Sequence, residues 1–333
     1  MPSARRTQIS LDETPYYHCI SRCVRRAFLC GLDVASNQSY EHRRQWVEDR
    51  LHAISGIFAI ELCAYAVMSN HYHVVVRVNV DQASNWNKDE VIRRWHQLFR
   101  GTVQSRRYVT GASMSKGEQY ALDTSVSIWR QRLMDISWFM RVINESIARR
   151  ANEEDQCSGR FWEGRFKCQA LLDEAALVSC MAYVDLNPIR SGIADTPETA
   201  AHTSIKLRCD CAVTAFSPNH PNQQPGGLVP FTSSLRQETP GGLPLRLTDY
   251  LELVDWTGRI LRDDKYGSIT GNQPAILNRL RLGSDQWLYL TQHFESRFKN
   301  LVGRAYTLKA TCRRLGYQRI PGLGASLYYL TSG

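Results

Sequence analysis

Histidines 71 and 73 are the first residues in this chain whose type and spacing could do chemistry. They lie in Ala64-Tyr-Ala-Val-Met-Ser-Asn-His71-Tyr-His73-Val-Val-Val-Arg-Val78, which reads as a strand, a tight turn at Ser69-Asn70 and a second strand rich in β-branched valines. Period two puts both imidazoles on one face and Tyr72 on the other, where it can pack. Two imidazoles at the start of a rigid strand are able to hold one divalent ion. The pair serves equally well as ordinary polar residues at a sheet end, so its meaning depends on a second feature far downstream.

That feature is Tyr183-Val-Asp-Leu-Asn187-Pro-Ile-Arg190. Asp173 is placed to cap the preceding helix, with Glu174 in its favourable first turn. Pro188 requires that helix to end or bend near Asn187. Tyr183 and Asn187, four apart, share a face. A His-His-Asn set leaves coordination positions open, and mixed nitrogen and oxygen ligands suit an octahedral Mg²⁺ or Mn²⁺. Such an ion would bind a phosphodiester and offset the charge that builds during in-line attack. Tyrosine, with a reference pKa of about 10, needs a nearby cation or base before it attacks. Attack by Tyr183 on DNA would leave a phosphotyrosine and a free 3′ hydroxyl, conserving the bond energy for rejoining.

A polyanionic partner fits the charge. The net charge of the 333 residues is +9, carried mostly by arginine, whose fork matches phosphate geometry. Arg22, Arg25 and Arg26 form a basic strand end. Cys157-Ser-Gly-Arg160-Phe-Trp-Glu-Gly-Arg165-Phe-Lys167 interleaves cations with aromatics, a pattern suited to phosphate contacts beside base stacking, or equally to buried aromatics with arginines on their rim. The ten cysteines form no matched C-x-x-C pairs and read as buried or partly buried free thiols rather than zinc ligands. No apolar run reaches the ~18 residues that a membrane crossing needs. Met1-Pro-Ser-Ala-Arg-Arg-Thr7 lacks an apolar signal core, so the expected location is cytoplasmic.

The elements that must position these groups follow in order. Thr14–Cys23 reads as a strand, residues 40–55 as a helix stopped by Gly56, and residues 57–67 as the strand entering the hairpin. Strand, helix, strand, turn, strand opens a ferredoxin-like βαββαβ layer, an α+β fold with an antiparallel sheet covered by helices on one face. Residues 81 to about 125 depart from that economy and read as a helical insertion, with a helix over 88–99. An apolar stripe from Trp129 to Ile147 predicts one long helix over 126–152, and a strand and the Asp173 helix complete a first domain over residues 1–200. Six prolines and two Gly-Gly pairs between Ser217 and Pro244 mark a linker over 201–246. A basic helical region occupies 247–333.

Three stretches together, Met68-Ser-Asn-His71-Tyr-His73-Val-Val-Val, Gly159-Arg-Phe-Trp-Glu-Gly-Arg-Phe-Lys167 and Tyr183-Val-Asp-Leu-Asn187-Pro-Ile-Arg-Ser-Gly192, resemble the single-tyrosine HUH transposases of simple insertion sequences, and within them the REP-associated tyrosine transposases. The resemblance spans roughly Thr14 to Ala194. It implies His71 and His73 as a metal pair, Asn187 at the place of the third ligand and Tyr183 as nucleophile. It also implies single-stranded, hairpin-forming DNA as substrate, with cleavage through a 5′-phosphotyrosine. Arg22, Arg25, Arg26, Arg160, Arg165, Lys167 and Arg190 are the expected DNA contacts, in a monomer or homodimer. Tyr72 departs from the pattern, being bulkier and more polar than the aliphatic residue usual between the histidines. The segment after Ile193 lies outside the resemblance. A non-catalytic protein of the same fold that recognises repeat hairpins is the alternative. A relaxase-type nickase is disfavoured because Tyr183 follows the histidines.

Overall fold

The computed structural model describes residues 9–24, 29–33, 37–232, 241–262 and 273–330; Arg25 and Arg26 lie outside them. The chain begins with strand β1 (Tyr16–Arg22), a small ribbon of β2 (Leu32–Asp33) and β3 (Gln38–Ser39), and helix α1 (His42–Ser55). The hairpin forms as read: β4 (Ile60–Val67) and β5 (His71–Val78) join through Met68-Ser-Asn70. Four short or medium helices follow, α2 (Val80–Asn85), α3 (Lys88–His96), α4 (Val103–Val109) and α5 (Lys116–Arg132), then α6 (Ile136–Glu154). Next come strand β6 (Lys167–Leu171), α7 (Glu174–Asp185), the four-residue α8 (Asn187–Arg190) and α9 (Ser204–Thr214). The remaining elements are α10 (Leu247–Arg262), α11 (Ala275–Arg279), α12 (Ser284–Arg297), β7 (Leu301–Val302), α13 (Ala305–Arg314) and α14 (Leu323–Tyr329).

The sheet runs β4-β5-β1-β6-β7. Its first four strands pair antiparallel, whereas β7 joins β6 in parallel, so the sheet is mixed rather than purely antiparallel. Helices cover both faces, which corrects the expectation of a one-sided layer. Tyr17, Cys19, Tyr72, Val74 and Val76 face a core closed by Val47 and Leu51 of α1 and by Phe139 and Ile143 of α6. Val75, Ala64, Ala66 and Leu171 face a second core with α7, Tyr250 of α10 and Phe294 of α12. A register shift between Leu62 and Ala64 turns Cys63 and Ala64 to the same side, which is why both belong to the second core. The signal for two-sided burial was present in α7, whose Ala-Ala-Leu-Val-Ser-Cys-Met-Ala run is apolar all round.

The long helix expected over 126–152 is two helices. Asp135 accepts the backbone N–H groups of Ser137 and Trp138 at 2.6 and 3.1 Å, starting α6 afresh after Leu133 ends α5. An N-cap inside a continuous apolar stripe breaks the helix without breaking the stripe. Of the ten cysteines, Cys157 is exposed, a departure from the buried reading, while eight are buried and Cys211 is half-buried.

The later segments are built into the same body. Residues 201–246 carry α9, and Val229 N–H donates to Leu62 O at 2.8 Å along the edge of β4. Asp173 caps α7 through Ala176 N–H at 3.0 Å and also accepts Arg304 N–H at 2.6 Å, fastening the exit of β7 to the start of the tyrosine helix. A side chain at Gly303 would stand 2.9 Å from Leu172 Cβ, so this close approach of backbones requires glycine. Asp185, fully buried at the end of α7, accepts from Ser204 Oγ at 2.5 Å, Ile205 N–H at 3.1 Å and Tyr250 Oη at 2.5 Å. Three donors would lose their partner in Asp185→Ala, for an expected loss of about 3 kcal/mol of unfolding free energy. Denaturant unfolding at pH 7 checks this; a loss under about 1 kcal/mol would mean that water replaces the carboxylate at no cost.

Candidate nuclease site

The side chains of Arg22, Ile20 and His18 on β1, of His71 and His73 on β5, and of Lys167 and Gln169 on β6 point to the face covered by α7. His71 and His73 share that face as expected, with ring centroids 4.8 Å apart. Tyr72 points to the opposite core, where its hydroxyl donates to Asn144 Oδ1 at 2.8 Å. The α7 helix delivers Tyr183 onto the histidines: its ring centroid lies 5.7 Å from that of His73 and 6.3 Å from that of His18, edge-on to both.

Both proposed metal histidines present a usable nitrogen. His71 Nδ1 meets Asn70 Oδ1 at 2.6 Å, where a carbonyl oxygen must accept, so the lone pair remains at His71 Nε2. His73 Nδ1 meets His18 Nε2 at 3.0 Å, and His73 Nε2 is a buried nitrogen with no partner. A buried, unpaired ring nitrogen beside a second free one is what a cation site requires of its ligands. Burial lowers His71 to about 4, assisted by the Arg22 guanidinium, and lowers His73 well below its ordinary value, assisted by His18. The sign is that of neutral imidazoles at pH 7, the form that ligates metals.

Asn187 is one turn beyond Tyr183, at the start of α8 rather than the end of a continuous helix. It is buried, and its Oδ1 lies 3.4 Å from Ser191 Oγ; among the described residues no hydrogen bond joins it to either histidine. Among the described residues no three His, Cys, Asp or Glu side chains converge as a metal cluster; Asn187 is the amide oxygen that the sequence reading offers beside the two histidines.

Tyr183 is 8% exposed, and burial pushes its phenol up to about 12; the Arg190 guanidinium, 4.2 Å from the ring centroid, pulls the other way without winning. The phenol is therefore neutral at pH 7. Arg190, expected from the sequence as a DNA contact, has a structural role here: its Nη1 donates to Tyr183 O and Thr291 O, both at 2.7 Å, which clamps the end of α7 to α12.

The basic segment lies beside the site. Val24 N–H donates to Phe161 O at 2.9 Å and Glu163 N–H to Arg22 O at 2.8 Å, so this loop borders the end of β1 where Arg22 pairs with His71. Arg160 and Arg165 are exposed. Phe161 and Phe166 are buried in the core, and Trp162 spends its Nε1–H on Asn144 O at 2.8 Å. The aromatics thus hold the loop down, and the arginines form its rim. Lys167 is paired with Glu295 of α12 at 2.8 Å. Burial pushes the Glu295 carboxyl up, but the Lys167 ammonium outweighs it and holds the carboxyl below its ordinary value.

His18, Gln169, Phe294 and Glu295 also belong to this neighbourhood, and sequence reasoning did not find them. His18 stacks on His73 with centroids 5.2 Å apart, and Phe294 lies 6.0 Å from Tyr183. His18 carried one faint signal, its place on a predicted strand at even spacing from Arg22.

Comparison with protein-family models finds no match, and no curated protein matches the sequence. A solved structure of a REP-associated tyrosine transposase bound to a REP hairpin is similar at 12% identity and a TM-score of 0.37, covering 71% of this chain and 99% of that chain. A superposition that loose transfers no residue's role. Among the described residues no helix is long and apolar enough to cross a membrane.

Proposed function

We propose that this chain is a tyrosine-dependent endonuclease and strand transferase for single-stranded, hairpin-forming DNA, built on a ferredoxin-like HUH core and supported by Mg²⁺ or Mn²⁺. The observation that carries this reading is the meeting of His71, His73 and Tyr183, from a strand and a helix 110 or more residues apart, on one face of the sheet. The strand order supports it, since β4-β5-β1-β6 is what two interleaved βαβ halves give.

His71 and His73, with Asn187 offered as an amide oxygen, would hold the cation, which when bound polarises the scissile phosphate. Tyr183 Oη attacks phosphorus; the new Oη–P bond forms as the P–O3′ bond breaks, and the phenol's proton balances the departing 3′ oxygen. The strand's 5′ side stays on the protein, and its 3′ hydroxyl is free to reverse the step on the same or another strand. Arg190 holds the tyrosine's helix and places positive charge beside its ring, favouring the phenolate that burial opposes.

Arg22, Arg160 and Arg165 would hold backbone phosphates along the rim. In the Arg160→Ala, Arg165→Ala double variant, hairpin affinity is expected to fall and its log–log salt slope to flatten by about 1.4, or about 0.7 per lost single-strand contact. Lys167→Ala should do less, because Glu295 already neutralises that ammonium. An unchanged slope in the double variant would return the loop to a structural role.

One observation favours a non-catalytic hairpin-binding protein of the same fold: Tyr183 is covered by Phe294 and is neutral at pH 7. Incubating the chain and Mn²⁺ with single-stranded hairpins from the DNA flanking its gene separates the two. A cut strand bearing a free 3′ hydroxyl and a protein-linked partner supports the nuclease, and tight binding with no cut supports the binder.

A further inference from the structure

Gln169, His18 and His73 form a hydrogen-bonded line from the C-terminal region into the site, and its direction is set at the far end. Gln169 Nε2 donates to Phe298 O at 3.0 Å and Lys299 O at 2.9 Å, so the amide cannot flip without opposing its own oxygen to two carbonyls. Gln169 Oε1 is thereby the acceptor facing His18 Nδ1 at 2.9 Å, and that nitrogen carries the hydrogen. His18 is fully buried and hydrogen-bonds to no carboxylate, the setting of a neutral imidazole, which keeps a lone pair at Nε2. This lone pair faces His73 Nδ1 at 3.0 Å, so His73 donates there. What is left on His73 is a bare Nε2, buried and unpartnered.

We propose that Gln169 and His18 are positioning residues that lock His73 in its Nδ1–H tautomer and aim the Nε2 lone pair at the divalent cation. The proposal rests on the metal-bearing reading above and deepens it. Metal-ligating histidines commonly donate their second nitrogen to a carboxylate or carbonyl, which fixes ring and tautomer together. Here an imidazole takes that place, and an amide tied to the backbone before β7 orients the imidazole in turn. A neutral relay fixes the tautomer without adding negative charge beside a site that must receive a phosphodiester. It also makes the His-His pair depend on residues 298 and 299, which lie outside the stretch that resembles the transposases.

The test uses the full chain with ¹⁵N-labelled histidine, metal-free at pH 7, in long-range ¹H–¹⁵N spectra that distinguish protonated from bare ring nitrogens. His18 and His73 are both expected as Nδ1–H, Nε2-bare rings. In His18→Leu, His73 should populate the Nε2–H form, and the Mn²⁺ Kd, read by electron paramagnetic resonance titration, should rise about 10- to 100-fold. His18→Gln, whose Oε1 reaches the place of Nε2 and accepts the same hydrogen, should restore both. A hydrogen on His73 Nε2 in the unaltered chain would overturn the proposal, as would wild-type Mn²⁺ affinity in a folded His18→Leu. Failure of the unaltered chain to bind Mn²⁺ would refute the metal site itself, whereas normal binding with the opposite tautomer would refute the relay alone.

Discussion

Tyr183→Phe is expected to abolish the covalent protein-DNA adduct and lower cleavage by roughly 10⁴-fold or more, while hairpin and Mn²⁺ affinities stay at their original values. The substitution removes one oxygen from a ring whose other contacts are with faces and edges: His18 and His73 edge-on, Phe294 tilted across it, and the Arg190 guanidinium above. The Arg190 guanidinium also hydrogen-bonds the Tyr183 side chain, but its bonds to Tyr183 O and Thr291 O do not depend on the hydroxyl, so the phenylalanine leaves Arg190 partnered and the fold little reason to respond. The competing phenols on the strands, Tyr16, Tyr17 and Tyr65, are engaged elsewhere: Tyr16 shares the face of the site but hydrogen-bonds Arg77 at the opposite end of β1 from Arg22. Tyr65 donates to Glu48 Oε1 at 2.6 Å and Tyr17 to Ser10 O at 2.8 Å, and both belong to the core on the opposite face of the sheet. An adduct that persists at full yield in Tyr183→Phe, seen on a denaturing gel, would move the chemistry to another group.

The second large effect is expected at the metal pair. His71→Ala should lower cleavage by on the order of 10³-fold and make the residual activity insensitive to chelator, because one nitrogen ligand would remain of the two proposed to hold the ion. His71 is the cleaner probe of the two. Its hydrogen bond is to Asn70 in the exposed turn, so its loss costs the fold little. His73→Ala would also strand His18 Nε2 in the core, adding about 1–3 kcal/mol of destabilisation that thermal unfolding would report. Full activity of either variant in excess chelator would mean that the imidazoles are polar strand residues and nothing more.

The parts of the site that were legible in the sequence are those whose geometry is local. Alternation over His71-Tyr72-His73 decides faces within one strand, and the valines after it demand extended backbone. The Asp173 cap, the polar end of the tyrosine helix and the bend at Pro188 are all written within a turn or two of where they act. What was not legible depends on partners far along the chain. The pairing of Ile20 with His73, which sets His18 diagonally against that ring, is a matter of register, and register between strands 50 residues apart leaves no mark on either sequence. Gln169 is likewise an unremarkable strand residue until residues 298 and 299 bring it two carbonyls. The two-sided cover was missed for a related reason. The apolar surround of α7 says that something buries its outer side, but not that α12, more than 100 residues later, supplies Phe294 and Thr291 to do it.

In the proposed reaction Tyr183 Oη becomes bonded to the 5′ phosphorus of a cut hairpin strand. It is tested most directly by trapping the complex with Mn²⁺ and hairpin DNA, digesting both protein and DNA, and locating the nucleotide by mass spectrometry. A phosphodiester-linked nucleotide remnant is expected on the peptide containing Tyr183 and on no other, absent when chelator is added first. A remnant on a different residue, or cut DNA with an unattached 5′ phosphate, would contradict it.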